Sequence, residues 1–290
     1  MQKFDYLRAF ARNVGWVTPS EQERLATAKV AIAGLGGVGG THLLTLCRLG
    51  VGRFSLAELD QFEQENFNRQ VGAMMSSLER PKIDTLVEMA RDVNPELELS
   101  LLPSGLSTES LDAFLEGVDV YVDGLDFFAF EIRAAVFEAC RRKGIPAVTA
   151  APLGMSSALL VFKPGGMPFE DYFRLNESTD DIDRALRFLI GLAPAMMHRH
   201  YLVWPEAVDL AERRGPSTMI ACQLCAGMAA GATLKLILGR GSVPAAPWSF
   251  QFDAYRNRFR RSWSPGGNRN PLMRMKRAIA RRIVAGREEA

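Results

Sequence analysis

A doubly wound, mostly parallel α/β sheet is the fold class this 290-residue sequence predicts. Short apolar, β-branched runs alternate with helical-period segments from residue 29 to about 150, the pattern of a parallel sheet covered on both faces. A glycine-rich stretch, Gly34-Leu-Gly-Gly-Val-Gly-Gly40, stands between the first such run and the first such helix.

The first strand is read at residues 29–33. The helix after the glycines carries Val38, Leu43, Leu44, Leu46, Cys47 and Leu49 at helical spacing and stops at Gly50. A second strand is expected at 53–59 and a helix at 83–93, closed by Asn94-Pro95 because a residue before proline avoids the helical region. Strand 97–102, helix 107–115, strand 118–122, helix 128–143 and strand 145–150 follow. After a turn at Pro152–Gly154 comes a sixth run, 157–162. Beyond Lys163-Pro-Gly-Gly the chain turns rich in Pro, Met, Gly and charge. Residues 164–218 read as a long crossover excursion with one helix at 182–192. Helix 219–238 and a strand near 249–253 return to the body. Residues 256–290 form a basic arm ending in an amphipathic helix at 272–284.

The composition, 48% apolar and 23% charged, is that of an ordinary soluble globular chain with a sizeable core. The tract 219–238 is interrupted by Gln223, Gly227, Gly231 and Lys235, so a buried helix is expected rather than a membrane span. Residues 1–13 show no secretory leader pattern, and four scattered cysteines suit a reducing compartment, so the cytoplasm is the expected location. Charge is unevenly spread. From Arg256 onward 11 Lys and Arg meet 2 Glu, an excess of +9, against −7 over the first 255 residues.

Ligands of open α/β sheets bind outside the carboxyl ends of the strands. That rule collects Gly34–Gly39, Glu58–Asp60, Asp123–Asp126 and 150–154 along one rim. Gly34, Gly36, Gly37 and Gly39 let backbone approach a phosphate, and the helix behind them offers unpaired N–H groups and a partial positive charge. Glu58, nineteen residues after Gly39, is placed to accept from ribose hydroxyls, a role that suits NAD and ATP equally. Asn66-Phe-Asn-Arg69-Gln70 favours a triphosphate, because Arg69 supplies a permanent planar charge and Asn66 and Gln70 neutral hydrogen bonds. Lys82 adds a point charge. Of Asp123 and Asp126, Asp126 is the favoured Mg²⁺ ligand, the alternative being a cap on the following helix. Cys222 and Cys225 lie i, i+3 on an apolar helix and read as core, since one pair is short of the four ligands of a structural zinc. His42 reads as a packing or capping residue, and His198 and His200 as surface or substrate contacts.

Gly-x-Gly-Gly-x-Gly, Asp60, Asn66-x-Asn-Arg-Gln, Lys82, Asn94-Pro95 and Asp123-x-x-Asp126, in this order, resemble the ThiF/MoeB/HesA family, relatives of ubiquitin-activating enzymes. The resemblance implies a Rossmann-like domain over 1–255, comprising an N-terminal segment (1–28), nucleotide-binding sheet (29–163), excursion (164–218) and closing helix and strand (219–255). It implies binding of ATP and Mg²⁺ and adenylation of a carboxylate, commonly the C-terminus of a ubiquitin-like or other small protein. Gly36–Gly39 would then contact phosphate, Arg69 and Lys82 stabilise it, Asp126 bind the metal, and Asp60 line the nucleotide site. Arg12, in Phe10-Ala-Arg-Asn13, matches an arginine that in relatives reaches the partner subunit's ATP, so a homodimer is expected. DNA is not an expected partner. Where many relatives have Asp for the ribose, this chain has Glu58. Residues 141–221 contain no cysteine, so adenylation without a loop-cysteine thioester is expected. The rival readings are an NAD(P)-dependent oxidoreductase and a non-catalytic relative serving as scaffold or heterodimer half.

Overall fold

A computed structural model describes residues 3–210 and 212–288. The first two residues of the N-terminal segment and the last two of the basic arm therefore lie outside the described residues. In chain order the elements are α1 (Tyr6–Ala9), α2 (Pro19–Thr27), β1 (Lys29–Ala33), α3 (Gly37–Arg48), β2 (Arg53–Ala57), α4 (Lys82–Val93), β3 (Glu98–Leu102), α5 (Leu111–Phe114), β4 (Val120–Asp123) and α6 (Phe130–Lys143). Then come β5 (Ala147–Leu153), β6 (Ser156–Phe162), α7 (Phe169–Phe173), α8 (Asp181–Leu192), α9 (Met219–Leu238), β7 (Trp248–Asp253), β8 (Arg258–Trp263) and α10 (Pro271–Glu288).

The strands make one eight-stranded sheet in the order β3-β2-β1-β4-β5-β6-β7-β8. β3, β2, β1, β4 and β5 run parallel, and β6, β7 and β8 continue it antiparallel. β1 and β4 are fully buried along their length, as a parallel sheet covered on both faces requires. One apolar core lies under α3, α4 and α9, the other under α5, α6 and the excursion helices α7 and α8. Phe127, Phe130, Phe169, Phe173 and Phe188 interlock in the second core, mostly with tilted rings, which roots the excursion to the sheet. α9 is long and apolar enough to cross a membrane by length and composition alone. Half of it is buried, with Cys222, Cys225, Ala229 and Ala230 packed inward against α3, β5 and β6, so it is a core helix as expected.

Four details depart from the sequence expectations. β2 stops at Ala57, because the Glu58 carboxylate takes the N–H groups of Leu59 and Asp60 and turns the chain out of the ladder. The helix expected at 107–115 shrinks to α5. Ser107 and Ser110 bond each other's backbone and side chains, the competition with helical bonds that serine offers. Pro152–Gly154 is not a break but the end of β5 and the tip of a hairpin to β6. The segment read as a basic arm contains an edge strand, β8, held on β7 by the full register Trp248↔Trp263 to Asp253↔Arg258.

Candidate functional site: the glycine-loop rim

β1 and β4 are neighbours although they are separated in sequence by two other strands, so the strand order reverses between them. Crevices of doubly wound sheets open at such a switch point. The glycine loop leaves β1 at that place, and Gly124 leaves β4 beside it. Gly34 has φ +79°, and a Cβ on Gly39 would stand 1.8 Å from the Gly34 carbonyl oxygen. Gly34 and Gly39 are therefore glycines because α3 presses onto β1 and β4. Gly36 differs, since a Cβ there would meet nothing nearer than the Gln70 amide at 3.7 Å. Gly36 is the open part of the loop, ahead of the unpaired N–H groups of the first turn of α3, whereas a Cβ on Gly37 would stand 3.1 Å from Cys222 Sγ.

Glu58 fixes that loop. Its Oε2 accepts from Leu35 N–H at 2.6 Å, while Oε1 accepts from Leu59 and Asp60 N–H at 2.9 and 3.0 Å. A carboxylate has about four acceptor positions, so three are spent on backbone and one remains for a ribose hydroxyl. Asp60, expected against the nucleotide, has instead a protein partner, its Oδ2 accepting from Lys82 Nζ at 3.1 Å. Lys82 opens α4, is buried except at this contact, and also donates its backbone N–H to the Asp60 carbonyl. Asp60 thus aims the lysine.

Asn66 is buried and accepts from Glu63 N–H, stabilising the turn that carries Arg69. Arg69 lays its aliphatic stem against Gly37, with Cγ 3.5 Å from a Cβ placed there. Its Nη1 donates to the Glu65 carbonyl and to Asn68 Oδ1 at 2.9 and 3.0 Å. Gln70 is buried beside Gly36, and its Oε1 has no hydrogen-bond partner among the described residues. A buried unpaired carbonyl at the mouth of a phosphate loop fits a ligand that brings a donor.

Asp123 and Asp126, so alike in sequence, are unlike in place. Asp123 is buried, its Oδ2 accepting from Arg133 Nε at 2.9 Å and from the Thr149 hydroxyl at 2.8 Å. It is unavailable to a ligand. Asp126 is exposed, and its Oδ1 accepts from Phe128 N–H at 2.9 Å in the turn before α6, while Oδ2 has no partner among the described residues. The bond closes a local turn and is not the alternative helix cap, since α6 has Ala129 as its N-cap with no side-chain bond, and one Asp126 oxygen is left over. Among the described residues no three His, Cys, Asp or Glu side chains cluster as a metal cage. Mg²⁺ needs no cage, since one or two carboxylates plus substrate phosphates and water suffice, so Asp126 fits.

Arg12 is not brought to this rim within one chain. Tyr6 donates to the Gly50 carbonyl at 2.6 Å and Asn13 to the Leu49 carbonyl at 3.1 Å, which docks the N-terminal segment at the C-terminal end of α3. Twelve residues of α3, about 18 Å of helix, separate that end from the loop. Arg12 is exposed there, near the outward-facing Leu7, Val14 and Trp16.

Both Cys222 and Cys225 are buried, and burial raises both thiols above their usual range, so neither is a ready thiolate. His198 is not a surface residue. It packs over Gly154 beside Tyr201, with Nδ1 3.5 Å from Gln251 Nε2, and burial pushes it down to about 4 although Asp253 pulls the other way. His200 is exposed. The contact of Tyr201 with this turn, its hydroxyl accepting from Met155 N–H at 3.0 Å, had no local sequence signal.

His42 is buried in α3 with neither ring nitrogen hydrogen-bonded, and burial lowers it from 6.5 to about 4 against an opposing pull from Asp123. Between those two pH values the unfolded imidazole holds a proton that the folded one lacks. Unfolding then takes up a proton, and stability falls as pH drops from about 6.5 towards 4. The loss amounts to roughly 3 kcal/mol at most, from 1.36 kcal/mol per pKa unit. His42→Leu removes the proton uptake without orphaning a partner. Urea unfolding at pH 7 and pH 4.5 should show a gap narrowed by about 2 kcal/mol; an unchanged gap would place the titration elsewhere.

A glycine loop, an aimed lysine and a rim arginine at the switch point of the sheet define an α/β protein of the doubly wound class. The chain belongs to the ThiF family, which it matches over residues 10–273. It is 32% identical over 145 residues to tRNA threonylcarbamoyladenosine dehydratase of Bacillus subtilis (strain 168), covering 50% of this chain and 56% of that protein. It is likewise 32% identical over 143 residues to sulfur carrier protein ThiS adenylyltransferase of Escherichia coli (strain K12), covering 49% and 56%. The chain thus spans about half the length of the curated relatives it matches. The structure of E. coli MccB with succinimide superposes with TM-score 0.67 at 19% identity, covering 90% of this chain and 73% of that one, a likeness of fold.

Proposed function

We propose that this protein uses ATP to adenylate a carboxylate. A carboxylate oxygen of the acceptor attacks the α-phosphorus, the bond from that phosphorus to the bridging oxygen of the β-phosphate breaks, and pyrophosphate leaves. The observation that carries this reading is the convergence of three cationic or donor features on one rim. They are the loop backbone at Gly36 and Gly37, Arg69 lying along Gly37, and Lys82 held by Asp60. These groups are fixed before substrate arrives, so they stabilise developing charge at little reorganisation cost. Asp126 would hold Mg²⁺, which when bound neutralises phosphate charge. Glu58 would keep the loop in shape and take a ribose hydroxyl with its remaining acceptor position. Gln70 and Asn66 would complete the wall.

The acceptor belongs to the carboxylate-bearing class. Two relatives support a small protein or peptide, since one is named for the sulfur carrier protein ThiS and MccB was crystallised with MccA. Because both α9 cysteines are buried and 141–221 has none, the adenylate passes on without a loop-cysteine thioester. The distance of Arg12 from its own loop, with Leu7, Val14 and Trp16 exposed around it, supports a homodimer in which it completes the partner's site. A dinucleotide reading is weakened because it leaves Arg69 and the lysine held by Asp60 without a use.

The test is ATP–pyrophosphate exchange with candidate acceptors, wild type beside Asp126→Ala. Exchange in the wild type, lowered about 10- to 100-fold in the variant and partly restored by raised Mg²⁺, is the expected result. Equal exchange in both would remove the role of Asp126. Stabilisation by NADH but not by ATP with Mg²⁺ in a thermal-shift comparison would overturn the adenylation reading.

A further inference from the structure

α8 and α10 border an open cleft of 590 Å³ on which Arg187, Arg274, Arg277 and Arg281 converge. Three carboxylates answer these four cations, and one of them, Glu177, 3.8 Å from Arg187 Nη1, is shared with Arg174 and Arg269. Asp183 pairs with Arg187 Nε at 2.7 Å and with Arg277 Nε at 3.2 Å, and Arg281 pairs with Asp180. The surplus is localised. The Arg274 side chain has no ion-pair or hydrogen-bond partner among the described residues, and Arg277 Nη1 is buried without one. Burial, with the charges of Arg187 and Arg274, disfavours the Arg277 cation. Folding alone gives no reason to gather a surplus of positive charge around a buried, unbonded N–H.

We propose that this cleft binds a small, multiply charged phosphate, pyrophosphate or a terminal phosphate monoester, through Arg274, Arg277 and Arg281. Two or more negative charges on one small group suit the local surplus, and guanidinium forks match phosphate oxygens in geometry. A phosphodiester brings one charge per phosphorus and satisfies the surplus less well. The volume lies within the range of small-ligand pockets. The three arginines lie beyond residue 273, where the family match ends, and away from the glycine-loop residues, so this is a second site and does not depend on the adenylation reading.

Isothermal titration of the full chain with inorganic pyrophosphate tests it, using wild type, Arg274→Glu and Arg69→Ala. Arg274 is exposed and unpaired, so its replacement leaves the fold intact. Arg274→Glu should weaken the cleft site at least 10-fold, whereas Arg69→Ala, at the glycine loop, should retain it. Inorganic phosphate should compete, and an oligonucleotide lacking terminal phosphates should not. Identical titrations of wild type and Arg274→Glu would overturn the proposal, as would loss of all pyrophosphate binding in Arg69→Ala. An oligonucleotide that binds the cleft more tightly than pyrophosphate would also overturn it, by showing a diester site.

Discussion

Arg69→Ala is expected to lower the rate of ATP–pyrophosphate exchange by about 100- to 1,000-fold, the usual loss when one preorganised donor to a developing oxyanion is removed. The effect should fall on kcat more than on KM for ATP, because charge builds on the phosphoryl oxygens as the reaction proceeds. Stability should barely change. Arg69 sits on a rim turn, and its bonds are to Glu65 and Asn68, both exposed, so roughly 0.5 kcal/mol is the scale of the loss. Arg69→Lys keeps the charge but not the planar fork and should recover only part of the rate. A tenfold higher KM with unchanged kcat would mean that Arg69 binds ATP without assisting the chemistry.

Much of the fold was legible because its signals are local. Strand, glycine loop and helix follow one another within twenty residues, and the alternation to residue 150 leaves little choice of class. The ladder around Arg69 and Lys82 was legible as residue types but not as contacts. Nothing in the sequence pairs Lys82 with Asp60, which lies 22 positions away, or joins Glu58 to Leu35, because those bonds exist only once β1, β2 and α4 share a rim. β8 was hidden for a different reason. Arg258-Phe-Arg-Arg-Ser-Trp has no apolar alternation, since an edge strand buries little. It is held by ladder bonds and by Arg261 stacked 3.9 Å from the centroid of the Trp248 ring. Asp123 and Asp126 show the limit most clearly. The sequence offers both as rim carboxylates, yet burial gives Asp123 to an arginine that no motif marked.

That arginine carries the largest expected effect on stability. Arg133 is 2% exposed, and all its donors are engaged. Nε meets Asp123, Nη2 meets the carbonyls of Leu125 and Asp126 at 2.8 and 2.7 Å, and Nη1 meets those of Phe127 and Ala129 at 3.2 and 3.4 Å. Its guanidinium also stands 4.7 Å from the centroid of the Phe188 ring. Removing it leaves a buried carboxylate without its cation, so Arg133→Ala should cost about 3–5 kcal/mol, a large fraction of what a folded domain possesses. Arg133→Lys should fall between, because an ammonium reaches Asp123 or the carbonyls but cannot span both. Replacing Asp123 and Arg133 together by apolar residues should not restore stability, as it can for a simple buried pair. The carbonyl of Leu125 and the Thr149 hydroxyl would still lose their partners. The same bonds set the path of residues 123–129, so Arg133→Lys should weaken Mg²⁺-dependent exchange even where the protein stays folded. Urea midpoints and exchange rates on the same samples separate the two effects. A Lys variant that lost stability but kept full exchange would show that the turn bearing Asp126 holds its shape without this arginine.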